Sequence, residues 1–223
     1  MSRFFSSENK FFVLMSKIFD VMVLGLMWLV LCLPIITIGP ASTALYYTMV
    51  KVIRRERSYL FKEFFRSFKL NFKQGAIITL IYAVLVALMY FDFAYVRALT
   101  EEGSKYGAVL FGAFIVLGIF VVFTMVYIFP VLSRFTVTLK NLFKWSFFMA
   151  IRHIGWTLLM AVLFIGTALM LYFSFFYMPP LILFLPGLYT LIVSFPMERI
   201  FKRYMPVDDV PEEESGVDHW YNE

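Results

Sequence analysis

The chain runs to 223 residues, 61% of them hydrophobic and 20% aromatic, with a mean hydropathy of +0.81 and a net charge of +5. That is more apolar surface than a single water-soluble core of this length can enclose, so an ordinary soluble domain is excluded. One cysteine, Cys32, excludes an internal disulfide, and its neighbours Val30 and Leu31 mark it as an apolar packing side chain.

In chain order, apolar runs fall at 18–38, 76–96, 108–129, 156–176 and 181–195. Most approach the ~20 residues that a helix needs to cross ~30 Å of hydrocarbon. None shows the short alternating pattern of a membrane barrel. The predicted fold is therefore all-α: a polytopic membrane bundle of five transmembrane helices over 18–203, with cytoplasmic amphipathic helices, an N-terminal segment at 1–17 and a tail at 204–223. The first run is too long for a signal peptide, begins beside Asp20 and contains Pro34. Ala41-Ser42-Thr43-Ala44 thus reads as a helix start rather than a cleavage site. The fifth run is short and holds Pro186 and Pro196, which predicts a kinked, partly buried helix.

Basic residues near span ends stay on the cytoplasmic side. The first connection carries Lys51, Arg54, Arg55, Arg57, Lys62, Arg66, Lys69 and Lys73. The third carries Arg134, Lys140, Lys144 and Arg152, and the end of the fifth run carries Arg199, Lys202 and Arg203. Arg3, Lys10, Lys17, Arg97 and Lys105 are left for the other side, which predicts an N-terminus outside, a C-terminus in the cytoplasm and a multi-pass protein of the plasma membrane. An alternative follows from the basic N-terminal residues: the first run enters from inside and turns back near Gly39-Pro40, with 41–50 as a re-entrant arm.

Between the first two spans, Phe61, Phe64, Phe65, Phe68 and Phe72 share one helical stripe. Lys62, Arg66, Lys69 and Lys73 flank it. The stripe at 58–73 can lie in the headgroup region against anionic lipid, or pack on the protein's own bundle. Nucleic acid is not an expected partner, because membrane topology already accounts for these cations. A second stretch, Leu142-Phe143-Lys144 with Phe147-Phe148 and Arg152, parallels Leu60-Phe61-Lys62 with Phe64-Phe65, and each follows a span ending in an apolar residue and proline. This is either an internal repeat of two-helix units or the usual dress of a helix leaving a membrane. Ala108 and Gly112 have small-xxx-small spacing, a common helix-packing signal.

Charges within spans are few. Asp20 and Asp92 begin and end their runs, and the predicted orientation puts both near the outer face, either as a polar pathway or as ordinary helix-end charges. His153 and His219 are the only histidines, so no metal cluster, histidine triad or phosphate-binding glycine loop is present, and the chain is not expected to be an enzyme or to hold a cofactor. The tail after Arg203 carries Asp208, Asp209, Glu212, Glu213, Glu214, Asp218 and Glu223, the composition of a solvated cytoplasmic segment, with Trp220-Tyr221 as a candidate docking element.

The run Leu33-Pro34-Ile35-Ile36-Thr37-Ile38-Gly39-Pro40-Ala41 with Ala44-Leu45 resembles the signature of the YesL-like family, bacterial membrane proteins of unknown function. Phe129-Pro130-Val131-Leu132 with Arg134-Phe135, and Ala150 with Arg152-His153, resemble its second motif, while Gly25 departs from the Asn expected in relatives. The resemblance implies an accessory or regulatory role in carbohydrate uptake, beside an ABC transporter permease or a sensor kinase. A small transporter or channel acting as a homo-oligomer is the alternative reading. The motif residues singled out are Pro34, Thr37, Gly39, Pro40, Pro130, Arg134, Arg152 and His153. Pro40 suits the first turn of a new helix, which predicts a chain break at the cytoplasmic face.

Overall fold

A computed structural model describes residues 10–54, 59–101 and 105–205. The acidic tail and its Trp220-Tyr221, residues 1–9, and Arg55 and Arg57 lie outside the described residues. Within them the chain is all helical: α1 (Lys10–Leu31), α2 (Ile38–Thr48), α3 (Leu60–Leu70), α4 (Phe72–Glu101), α5 (Lys105–Arg134), α6 (Leu139–Arg152), α7 (Ile154–Tyr177) and α8 (Leu181–Phe201). A short 3-10 turn, Ile35–Thr37, leads into α2, and a π-helical turn, Met49–Arg54, continues it. Four helices are long and apolar enough to cross a membrane among the described residues: 72–98, 109–134, 154–177 and 181–201.

The helices form three antiparallel hairpins, α1–α2, α4–α5 and α7–α8. The amphipathic α3 and α6 link one hairpin to the next. The register is fixed by close contacts. In α1–α2, the Trp28 indole donates to Ser42 Oγ at 3.0 Å. In α4–α5, the Tyr82 hydroxyl donates to Thr124 Oγ1 at 2.9 Å, and Phe93 stacks on Phe111. In α7–α8, Phe164 meets Tyr189.

One topological expectation is corrected. Gly25 of α1 lies against the Leu183 backbone of α8, and Val21 lies against Gly187. Rising residue numbers in α1 thus meet falling numbers in α8, so the start of α1 and the end of α8 sit at the same end of the bundle. The first run thus turns back within the bundle, as in the re-entrant alternative. The turn it requires comes at Cys32–Pro34, before the 3-10 segment, rather than at Gly39-Pro40; Leu33 at the tip is 82% exposed. The break is therefore not at the basic end of the bundle. Pro40 does occupy the first turn of α2, where its missing N–H costs nothing.

The central element is α2. Gly39 through Val50 are buried except Ser42, although this stretch looked like part of a connection. It is enclosed by α1, α3, α4, α5 and α8. Pro186 and Pro196 do not interrupt α8, which runs unbroken and buries both rings. The Thr190 hydroxyl donates one turn back to the Pro186 C=O at 2.8 Å, satisfying a buried side-chain donor within the helix. The phenylalanine stripe of α3 divides: Phe64 is fully buried beside Glu63 and Ser67, while Phe61 and Phe65 stay exposed. At Gly112 a Cβ would meet nothing within 4 Å.

Candidate functional site

Two layers meet around α2: a cluster of buried charges at the end where α8 finishes, and an apolar cavity beneath it. The cluster starts from Tyr46, which projects from α2 toward α8. Its hydroxyl donates to Glu198 Oε1 at 2.9 Å. Arg134, on the last turn of α5, donates to the same oxygen through Nε at 3.1 Å and Nη2 at 2.8 Å. The Arg134 side chain is wholly buried and Glu198 nearly so. Charges of opposite sign at this separation, away from water, offset each other's desolvation, and loss of either strands the other. Phe201 closes the cluster edge-on to both Tyr46 and Phe135. Three helices from three different hairpins are thereby pinned together.

One turn beyond Tyr46, the π-helical widening turns Lys51 inward. Its ammonium donates to the Tyr47 hydroxyl at 3.0 Å and to Glu63 of α3 at 3.1 Å. Arg54 donates to the Ser194 carbonyl at 2.8 Å and lies 4.2 Å from the centre of the Phe195 ring. The N-terminal end of α2 is held by small residues. The Gly39 amide donates to Thr79 Oγ1 at 2.9 Å, and Gly75 presses on the Pro40 ring. The Thr37 hydroxyl donates to the Pro34 carbonyl at 2.7 Å and also contacts Leu31 O, capping the turn at the hairpin tip.

Beneath this cluster lies a cavity of about 300 Å³ between α1, α2, α5, α7 and α8. Its wall is mostly apolar, built from residues such as Met125, Phe129, Phe164, Leu171 and Val193, with Ser42, Thr167 and Thr190 as sparse hydroxyls. Tyr46 lines the cavity and also joins the charge cluster, so the two layers share a side chain.

The residues singled out from sequence fare unevenly. Gly39, Pro40, Pro130 and Arg134 gather around α2: a Cβ on Gly39 would fall 2.8 Å from the Phe129 ring, and Pro130 lines the cavity. The two motifs of the resemblance therefore touch. Pro34 and Thr37 stand apart at the hairpin tip. His153 shares a hydrogen bond of 3.1 Å with the Tyr204 hydroxyl, and the exposed Arg152 lies near the same ring. Burial first, then Arg203 and Arg152, lower the His153 pKa, so the neutral imidazole is favoured at pH 7. Asp20 and Asp92 are not assembled into one site. Asp20 sits mid-way along α1, because the helix begins at Lys10, ahead of the apolar run; Asp92 is exposed on α4, which packs against other neighbours. Sequence reasoning missed Tyr46, Lys51, Glu63 and Glu198. The available signal was Glu198, a lone acid among Arg199, Lys202 and Arg203 at the end of an apolar run.

A family model described as "Protein of unknown function, DUF624" matches residues 21–93, from mid-α1 through most of α4, and so takes in the Gly39-Pro40 motif and the central helix. No curated protein matches the chain, and no solved structure does.

Proposed function

We propose that this is a non-enzymatic, multi-pass protein of the bacterial plasma membrane, serving as an accessory or regulatory subunit of carbohydrate uptake beside an ABC permease or a sensor kinase. The observation that carries the non-enzymatic part is the distribution of buried charge. Among the described residues, Lys51–Glu63 and Arg134–Glu198 lie at one end as closed, helix-joining pairs, while the cavity below offers apolar wall and isolated hydroxyls. Such a site holds helices in place; it has neither a nucleophile–base couple nor a file of polar groups across the bundle. The link to carbohydrate uptake rests on the resemblance to the YesL-like family. Crosslinking in native membranes, followed by identification of the attached proteins, is expected to recover a permease or kinase subunit; recovery of neither overturns the role.

The orientation belongs to the same proposal. With α1 and α2 together as one re-entrant hairpin and α4, α5, α7 and α8 crossing, the end carrying Arg54, Arg134 and Arg199 is cytoplasmic, and α1 starts there too. Arg3, Lys10 and Lys17 then join the basic side, and only Arg97 and Lys105 remain outside, a stronger positive-inside bias than the opposite arrangement of α1 gives. In a Cys32→Ser background, Lys10→Cys and Lys202→Cys are expected to resist a membrane-impermeant thiol reagent in intact cells, and Arg97→Cys to react. Labelling of Lys10→Cys from outside sinks this topology.

A second reading, a small transporter, draws on the cavity and on the prolines inside α5 and α8. Substrate flux into proteoliposomes holding the pure protein would favour it over the accessory role.

A further inference from the structure

We infer that α3, with the adjoining start of α6, forms a binding face for the phosphate headgroups of anionic lipid. The inference rests on membrane embedding alone and is independent of the carbohydrate role.

Among the described residues, buried pairing leaves this end of the bundle with exposed charges of one sign. Its acidic side chains among the described residues are Glu63 and Glu198, and both are internal, facing Lys51 and Arg134. Outside remain Lys62, Arg66, Lys69 and Lys73, all exposed, with Lys140 and Lys144 of α6 exposed as well. No exposed acid among the described residues offsets them there. A phosphate-bearing surface is the complementary partner.

Aromatic placement then selects a membrane over a free anion. Around α3 the inward arc holds Glu63, Phe64 and Ser67; the next arc holds Phe61 and Phe65, 59% and 44% exposed; the arc after that holds Lys62, Arg66 and Lys69. Phe72 continues the apolar arc at the start of α4, edge-on to Phe68. A helix so ordered places its rings toward hydrocarbon and its cations at headgroup depth, beside the protein that anchors it. On α6, Leu142, Ser146 and Met149 likewise face inward, and Phe147 and Phe148 are exposed on either side of Lys144. Gln74 donates to the Val137 carbonyl at 3.3 Å, tying the α3–α4 junction to the loop before α6, so Lys73 and Lys140 flank one seam.

The test uses the full chain purified in a neutral detergent, with native mass spectrometry after adding phosphatidylglycerol or phosphatidylcholine of the same acyl chains. The expected result is retention of phosphatidylglycerol in about tenfold excess, an excess that falls to near parity in Lys62→Gln/Arg66→Gln/Lys69→Gln/Lys73→Gln with thermal stability kept. Should that variant misfold, Lys62→Gln/Arg66→Gln alone is expected to lower the excess several-fold. Equal retention of the two lipids by the wild type overturns the proposal, as does full retention in a folded charge variant. Displacement of the lipid by equimolar inorganic phosphate overturns it too, since the site would then be a free-anion site. Selectivity that emerges only in Asp208→Asn/Asp209→Asn/Glu212→Gln/Glu213→Gln/Glu214→Gln would show that the acidic tail occupies the face, and would equally overturn it.

Discussion

Replacing Glu198 by leucine while Arg134 remains is expected to cost about 3–5 kcal/mol, because a guanidinium with no exposed side-chain surface loses the carboxylate oxygen that takes two of its N–H groups. In a chain of this size that corresponds to a fall of about 10 °C or more in the detergent melting temperature, read by thermal shift on a size-exclusion column. The reverse single change, Arg134→Met, is expected to do similar damage by stranding Glu198. The double variant Arg134→Met/Glu198→Leu is the informative one. An apolar pair of similar volume removes both desolvation penalties together, so most of the lost stability should return. Tyr46→Phe removes one donor to the carboxylate and leaves the Arg134 pairing in place, so it is expected to cost less, about 2 kcal/mol. A Glu198→Leu protein that melts with the wild type would show that the cluster does not hold α2, α5 and α8 together.

The second large effect is expected at Gly25. A Cβ there overlaps the Leu183 carbonyl, and that obstacle is backbone rather than a movable side-chain tip. Relief requires α1 and α8 to separate, which also opens the seam between Val21 and Gly187 on the neighbouring turn. Gly25→Val is expected to destabilise by about 3 kcal/mol through overpacking. The contrast is Gly112→Ala in α5, where a Cβ meets nothing within 4 Å. Alanine there should be neutral or stabilise by up to about 1 kcal/mol, because helical glycine carries extra unfolded-state entropy. If both substitutions behave alike in a thermal-shift assay, the α1–α8 contact is not as close as described. Gly25 thus has a packing reason to be small, which explains why an Asn-sized side chain does not fit at this position of this chain.

How much of this was legible in the sequence depended on the length scale of the signal. Apolar runs of near-bilayer length show a helical membrane protein directly, since they sum over many residues and few other solvents suit them. The basic stripe of Lys62, Arg66, Lys69 and Lys73 was equally plain, because its period is local. A turn back in the chain was readable as an alternative, but it was placed near Gly39-Pro40 rather than at Cys32–Pro34. Each stretch before and after the break is compatible with either direction along the bundle, and cation counts alone do not say which helices pack antiparallel. The central position of α2 had no local signature, since its composition, with Thr43, Tyr46, Tyr47 and Thr48, is that of a mixed connecting segment.

The sequence by itself determined the solvent, the all-helical class and the end of the bundle that carries the cations, because each follows from composition and from periods of a few residues. Only the tertiary structure decided that α1 runs antiparallel to α8, that α2 fills the centre, and that Arg134, counted among the surface cations, is an interior partner of Glu198, 64 residues away. Pairing across such a separation depends on which helices lie side by side, and that is set by the summed packing of whole hairpins rather than by any residue's immediate neighbours.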